Sequence, residues 1–221
     1  MTRLCAAWLM MCCAGVSLAQ ANPASEPRVG VAVTVFSALL IAGVPGGWQS
    51  AYQSPAPDHF KLSYVPNGQT FQRWQGNLTI EGFRGQAEQP GMSPAVLLDR
   101  QVRRIGQDCG ERFVVQMFAE AKIDSHDAQS AIIGCGSAAV HDASGILMGE
   151  GEAGLYIAIK GPSDMVLIRR AVRGAAYERN AFPIRQADVD AWTRALLPIT
   201  LCQRGVSRDE CWARNARERR P

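Results

Sequence analysis

Residues 154–173, GLYIAIKGPSDMVLIRRAVR, constrain this chain more than any other stretch. Two apolar, partly β-branched runs flank Gly161-Pro162-Ser163-Asp164, a cluster of turn formers, so the pair reads as an antiparallel hairpin. Leu155, Ile157 and Ile159 alternate with Tyr156, Ala158 and Lys160, and Val166, Ile168, Arg170 and Val172 alternate with Met165, Leu167, Arg169 and Ala171. One face of such a hairpin must be covered, and the other is only partly polar.

More strands precede it. Residues 60–65 alternate and end at Pro66-Asn67-Gly68, and residues 76–82 resume after Trp74. Ser93-Pro94 then opens a helix, a capping hydroxyl followed by proline at the first helical position. Leu98, Val102 and Ile105 form its apolar stripe, and Gly106 is the expected stop. Residues 112–120 and 129–139 read as two further strands joined through Asp124-Ser125-His126-Asp127, and residues 145–154 read as a loop into the hairpin. After it, Val189, Trp192 and Leu196 stripe a helix over 186–197 that Pro198 ends. Runs of strands, rather than strict alternation with helices, favour an α+β fold. The expectation is an antiparallel sheet of about six strands covered by two helices and closed by two disulfides.

The first 21 residues have the three parts of an export signal: Arg3, an apolar core over 4–18, and Ala19-Gln20-Ala21 as a small-x-small cleavage site. Cleavage is expected after Ala21; lipidation at Cys12 or Cys13 is disfavoured by the bulk of Met11. Removing this leader takes Cys5, Cys12 and Cys13 with it and leaves Cys109, Cys135, Cys202 and Cys211. An even set in an exported chain favours two disulfides over metal binding or catalysis. Cys202 and Cys211 enclose a short segment and are expected to pair, leaving Cys109 for Cys135, although four cysteines allow three pairings. Each bridge would stabilise the fold by about 2 to 4 kcal/mol.

Residues 22–58 are read as an apolar and linker segment, and residues 59–221 as a single α+β domain with a basic C-terminal tail. The run at 29–44, VGVAVTVFSALLIAGV, is uncharged and just short of a comfortable bilayer span. It fits a buried strand, a second membrane anchor, or sequence upstream of the true start. The tail after Cys211, WARNARERRP, reads as a solvated end, with anionic lipid or an acidic partner as its alternative. A formal net charge of +3 is too small to imply nucleic acid.

No catalytic signature stands. Residues 149–154 match G-x-G-x-x-G, but the match precedes a strand instead of opening a helix, and its glutamates would repel a pyrophosphate. Cys135 with His141 and Asp142 could suggest a thiol nucleophile, yet a cysteine in an apolar strand with a partner to pair with is not poised for attack. His59, His126 and His141 lack metal-ligand spacing. Glu150 and Glu152 are close in sequence, but spacing in a glycine-rich loop does not define glycosidase geometry. Trp48, Tyr52, Tyr64, Phe71 and Trp74 could line a ligand groove, against a default role in core packing. No metal, cofactor or catalytic residue is assigned.

Residues 64–70 (YVPNGQT), Trp74 and Leu78-Thr79-Ile80 resemble the opening of small exported proteobacterial proteins of uncharacterised function. Ile159-Lys160-Gly161, Arg170-Ala171-Val172-Arg173, Trp192 and Leu201-Cys202-Gln203-Arg204 fit the same resemblance. It implies a periplasmic or secreted domain with the disulfides above, and it supplies no activity. The strand and helix order is also similar to the Mog1/PsbP-like α/β sandwich, an analogy of fold that does not assign function. The resulting expectation is an exported, disulfide-stabilised binding or accessory domain whose partner is a protein or an envelope component. The alternatives are an envelope hydrolase with an unrecognised active site and an inner-membrane accessory subunit anchored by residues 29–44.

Overall fold

The computed structural model describes residues 28–137 and 149–218. The uncharged run at 29–44 becomes two strands of a hairpin, β1 (Arg28–Val35) and β2 (Ala38–Pro45), turning at Phe36-Ser37. No helix among the described residues is long and apolar enough to cross a membrane. The run reads as uniformly apolar because both of its strands place alternate residues in the core: Val33, Val35, Leu40, Ala42 and Val44 are all buried there.

Gly46-Gly47, with Gly47 at a positive φ of 75°, turns the chain out of this pair and into a second sheet. There follow β3 (Trp48–Pro55), β4 (His59–Pro66) and β5 (Gly76–Phe83), then helix α1 (Pro94–Cys109). Ser93 caps α1, its hydroxyl accepting from the Val96 amide at 3.3 Å. Gly106 does not stop the helix, as expected from sequence; it lies inside it, and Gly110 at a φ of 60° ends it. Next come β6 (Phe113–Met117), β7 (Ala121–Ile123), β8 (His126–Cys135), β9 (Glu150–Lys160) and β10 (Met165–Ala175). The chain closes with α2 (Gln186–Leu196), β11 (Thr200–Gln203) and α3 (Arg208–Glu218).

The fold is α+β and its pairings are antiparallel, but the sheet is larger than the six strands expected. Eight strands run in the order β3-β4-β5-β10-β9-β8-β6, with β7 also on β8, and a second sheet runs β1-β2-β11. The hairpin of β9 and β10 sits mid-sheet, so each of its strands is paired on both sides. Among the described residues three helices stand where two were expected: the segment around Cys211 is helical, and β11 forms ahead of it against the first half of β2.

The two sheets pack face to face. Leu62, Leu78, Ile80, Ile157 and Ile168 of the large sheet meet the small-sheet residues named above, and Val189, Trp192 and Leu196 of α2 complete this core. At Gly82 the sheets come so close that a Cβ would lie 2.1 Å from Val35 Cγ1. The opposite face of the large sheet carries α1, whose Leu97 and Leu98 pack with Ala131, Ile133, Tyr156, Ala158 and Leu167. On the outer side of the small sheet, Trp212 of α3 lies with Leu39, Ile41 and the Cys202–Cys211 pair.

One carboxylate clasps three turns. Asp164, in the β9–β10 turn and 3% exposed, accepts from the Ser37 amide at 3.0 Å, from the Ser37 hydroxyl, and from the Gly85 amide at 2.8 Å. It joins the hairpin of the small sheet, the loop before α1 and the central hairpin of the large sheet. The Phe36 φ of 50°, rare for a bulky residue, is held beside this clasp with the Arg84 guanidinium 4.6 Å from its ring. Asp164→Ala would leave these donors unpaired and is expected to lower unfolding free energy by about 3 kcal/mol, measured as a shift of the urea midpoint.

Candidate functional site

The α1 face of the large sheet is apolar where α1 covers it and polar beside it. Register sets this up. Along β10, Val166, Ile168 and Arg170 face the small sheet, while Leu167, Arg169, Ala171 and Arg173 face the α1 side. Arg169 lies across from Thr79 on one neighbour and Tyr156 on the other, and Arg173 lies directly across from Glu152.

Glu152 is the hub. Its side chain is 9% exposed and accepts from Arg169 Nη1 at 2.9 Å and from Arg173 Nε at 2.9 Å. The other Arg169 terminal nitrogen donates to Asn77 Oδ1 at 3.2 Å, and Ser63 and Thr79 share a buried hydroxyl contact at 3.0 Å. The buried indole of Trp74 covers the cluster, 3.8 Å from the Arg173 guanidinium and 5.9 Å from that of Arg169. Tyr177 donates to the Glu152 carbonyl at 2.8 Å. Burial would pull the Arg169 pKa down, but the Glu152 and Glu81 carboxylates and the Tyr156 phenol together outweigh it and raise it, so the charge is secure. Burial, aided by Glu152, pushes the Tyr177 phenol well above its ordinary range.

A second cluster adjoins it. Glu81 meets His59 Nε2 at 3.0 Å and Lys61 Nζ at 3.8 Å, and His59 stacks on Phe83 with centroids 5.0 Å apart. Burial raises the Glu81 pKa, but the His59 hydrogen bond and the Lys61 and Arg169 charges outweigh it, leaving the carboxyl below its usual value of 4.5.

The five aromatic candidates divide between the two faces. Trp48 and Tyr64 pack against the sandwich core, where Trp48 lies 4.2 Å from the Arg170 guanidinium and Trp192 lies 5.4 Å from it. Tyr52, Phe71 and Trp74 lie on the α1 side. A bulge between Ser50 and Tyr52 puts Tyr52 opposite Ser63, where it stacks on Phe71 with centroids 4.3 Å apart and planes 15° apart.

The other candidates fall as follows. Cys109 pairs with Cys135 and Cys202 with Cys211, with Cα–Cα distances of 5.4 and 6.0 Å. Residues 150–154 are not a loop, as expected from sequence; they are the start of β9, and Glu152 is spent on two arginines. His126 opens β8, while His141 and Asp142 lie outside the described residues. Among the described residues no group of three His, Cys, Asp or Glu side chains could hold a metal ion. Sequence reading missed Arg169 and Arg173 as partners of Glu152. The available signal was the arginines inside an otherwise apolar strand, VLIRRAVR, which burial obliges to find acids or aromatic rings.

No family model matches this chain, and no curated relative does. Among solved structures it is similar to the Ran-binding protein Mog1p of Saccharomyces cerevisiae, at 9% identity and a TM-score of 0.43 over 88% of this chain and 93% of that one. It is also similar to LpqN, involved in cell envelope biogenesis in Mycobacterium tuberculosis, at 15% identity and a TM-score of 0.41 over 79% and 91% of the two chains. At such TM-scores neither likeness bears on what this chain does.

Two expectations follow from the charge clusters. Glu152→Ala strands two arginines and should cost about 3 to 5 kcal/mol of unfolding free energy, with Glu152→Gln costing less, both read by chemical denaturation. Because the Glu81 pKa is lower folded than unfolded, its contribution is fully present above about pH 4.5 and is lost as pH falls through the lowered value. Stability of Glu81→Gln, measured across that acid range, should therefore fall less steeply than that of the parent protein.

Proposed function

We propose that this chain is an exported, disulfide-stabilised domain that acts by binding a protein or an envelope component rather than by turning over a substrate. The observation that carries this reading is how the reactive groups are used. Cys135 is tied to Cys109, Glu152 is held between Arg169 and Arg173, and Glu81 is engaged by His59 and Lys61. A thiol in a disulfide is no nucleophile, and a carboxylate locked between guanidinium groups is a poor base. Paired cysteines also suit the oxidising side of a membrane. Signal cleavage after Ala21 and release into the periplasm or medium belong to this proposal. The domain begins in the segment 22–58 with the apolar hairpin and continues through the α+β body to the basic tail.

Intact mass of protein recovered from the cell envelope, with and without reduction before thiol alkylation, tests the reading. The expected mass begins at Asn22, with all four remaining thiols protected until reduction. A retained leader overturns export, and a free Cys135 thiol reopens nucleophilic chemistry.

A further inference from the structure

We propose that β6 is a self-association edge, on which a second copy of this chain docks antiparallel about a two-fold axis at Gln116 and joins the two large sheets into one. The inference goes beyond the binding role above and does not depend on it. β6 ends the large sheet on the β8 side, and no strand among the described residues lies beyond it. The Gly136 amide donates to the Arg112 carbonyl at 3.0 Å, and the Phe118 amide donates to the Ser130 carbonyl at 3.0 Å. Arg112, Val114, Gln116 and Phe118 therefore turn their backbone groups toward β8. By alternation the N–H and C=O groups of Phe113, Val115 and Met117 point out of the sheet.

Sheets that remain single blunt such an edge with charge or proline. Residues 113–119, FVVQMFA, contain neither. Val115 and Met117 lie opposite Ile133 and Ala131, on the α1 side, and are 41% and 43% exposed. Among the described large apolar residues only Val29 is more exposed. The edge thus offers both unused backbone groups and apolar side chains.

What selects a second copy is that this strip is complementary to itself. Antiparallel pairing about Gln116 sets Val115 against the other copy's Met117 on one face and Val114 against its Phe118 on the other, each contact occurring twice. Gln116 meets its own copy, and a side-chain amide is its own complement because it donates and accepts. At either end Arg112 reaches the level of the other copy's Glu120. Glu120 is exposed and has no ion-pair partner among the described residues, whereas Arg112 holds Glu178 and keeps donors for a second carboxylate. An axis at Val115 instead would set Arg112 against Phe118, so charge favours the axis at Gln116. The ladder is short, since the register against β8 shifts by one between Met117 and Ala121. Interfaces of this small class, below about 1,200 Å², hold transient pairs, so a micromolar dimer is expected.

Sedimentation velocity of the oxidised protein over roughly 10 to 500 µM chain tests the proposal. A reversible monomer–dimer equilibrium is expected with no larger species, because a two-fold pairing consumes the edge. Val115→Lys and Met117→Lys, exposed changes that spare the core, should each weaken the dimer by about tenfold or more. Gln53→Lys on β3, at the opposite edge, should leave it unchanged. Gln116→Cys should link to its own copy on mild oxidation, since a pair that shares no backbone hydrogen bonds brings its Cα atoms to about 4.5 Å, whereas Gln53→Cys should not. A monomer at every concentration, a dimer undiminished in both lysine variants, or no covalent dimer from Gln116→Cys overturns the proposal. Oligomers that grow without limit overturn the two-fold pairing in favour of a head-to-tail contact.

Discussion

The salt bridges from Glu152 to Arg169 and Arg173 sit where the largest sheet can least tolerate an error. β9 and β10 lie mid-sheet, so their register is transmitted to β8 on one side and to β5 on the other. A slip by one residue would swing Arg169 and Arg173 into the apolar sandwich and carry Val166 and Ile168 out of it. Hydrophobic burial and charge pairing select the same register. A buried ion cluster adds little net stability over an apolar replacement, because desolvation cancels much of the attraction. Its effect here is selective: wrong registers leave charges without partners.

The same end of the sheet carries the Cys109–Cys135 bridge. Cys135 is the cross-strand neighbour of Glu152, Tyr177 donates from its amide to the Gly136 carbonyl and from its hydroxyl to Glu152, and Gly136 donates to Arg112. The bridge thus locks the end of α1 to the strand that flanks the charge hub. At the opposite turn of the hairpin, Asp164 joins the two sheets by hydrogen bonds.

Local chemistry made part of this legible. The hairpin was readable because its turn formers and its alternation lie within one stretch, and α1 was readable because Ser93-Pro94 signals its own start. The run at 29–44 was not, since an uncharged valine-rich sequence looks alike in a sandwich and in a bilayer; only contacts with Asp164 and Gly82, far along the chain, distinguish them. β11 escaped because Thr200–Gln203 has no pattern of its own and becomes a strand by pairing with Leu39, Leu40 and Ile41. α3 escaped because its arginines suggested a solvated tail. Its helix is nonetheless tied down, with Asn215 fully buried and donating to the Pro198 carbonyl at 2.9 Å. Among the five aromatics, Trp48 and Tyr64 pack on the sandwich core, and a bulge that no residue advertises turns Tyr52 to the α1 side with Phe71 and Trp74.

That division determines what each aromatic can do. Trp48 and Trp192 flank Arg170 on the core side, where they offset part of the cost of a buried cation. Trp74 does the same for Arg173 on the other face and, by doing so, fixes the loop that carries Phe71. A surface ring can discriminate ligands only if the elements beneath it hold still, because a mobile platform must be ordered afresh by each ligand it meets. The charge cluster under Trp74 provides that stillness, so the feature that sets the register of the sheet also sets the rigidity of its exposed aromatic edge.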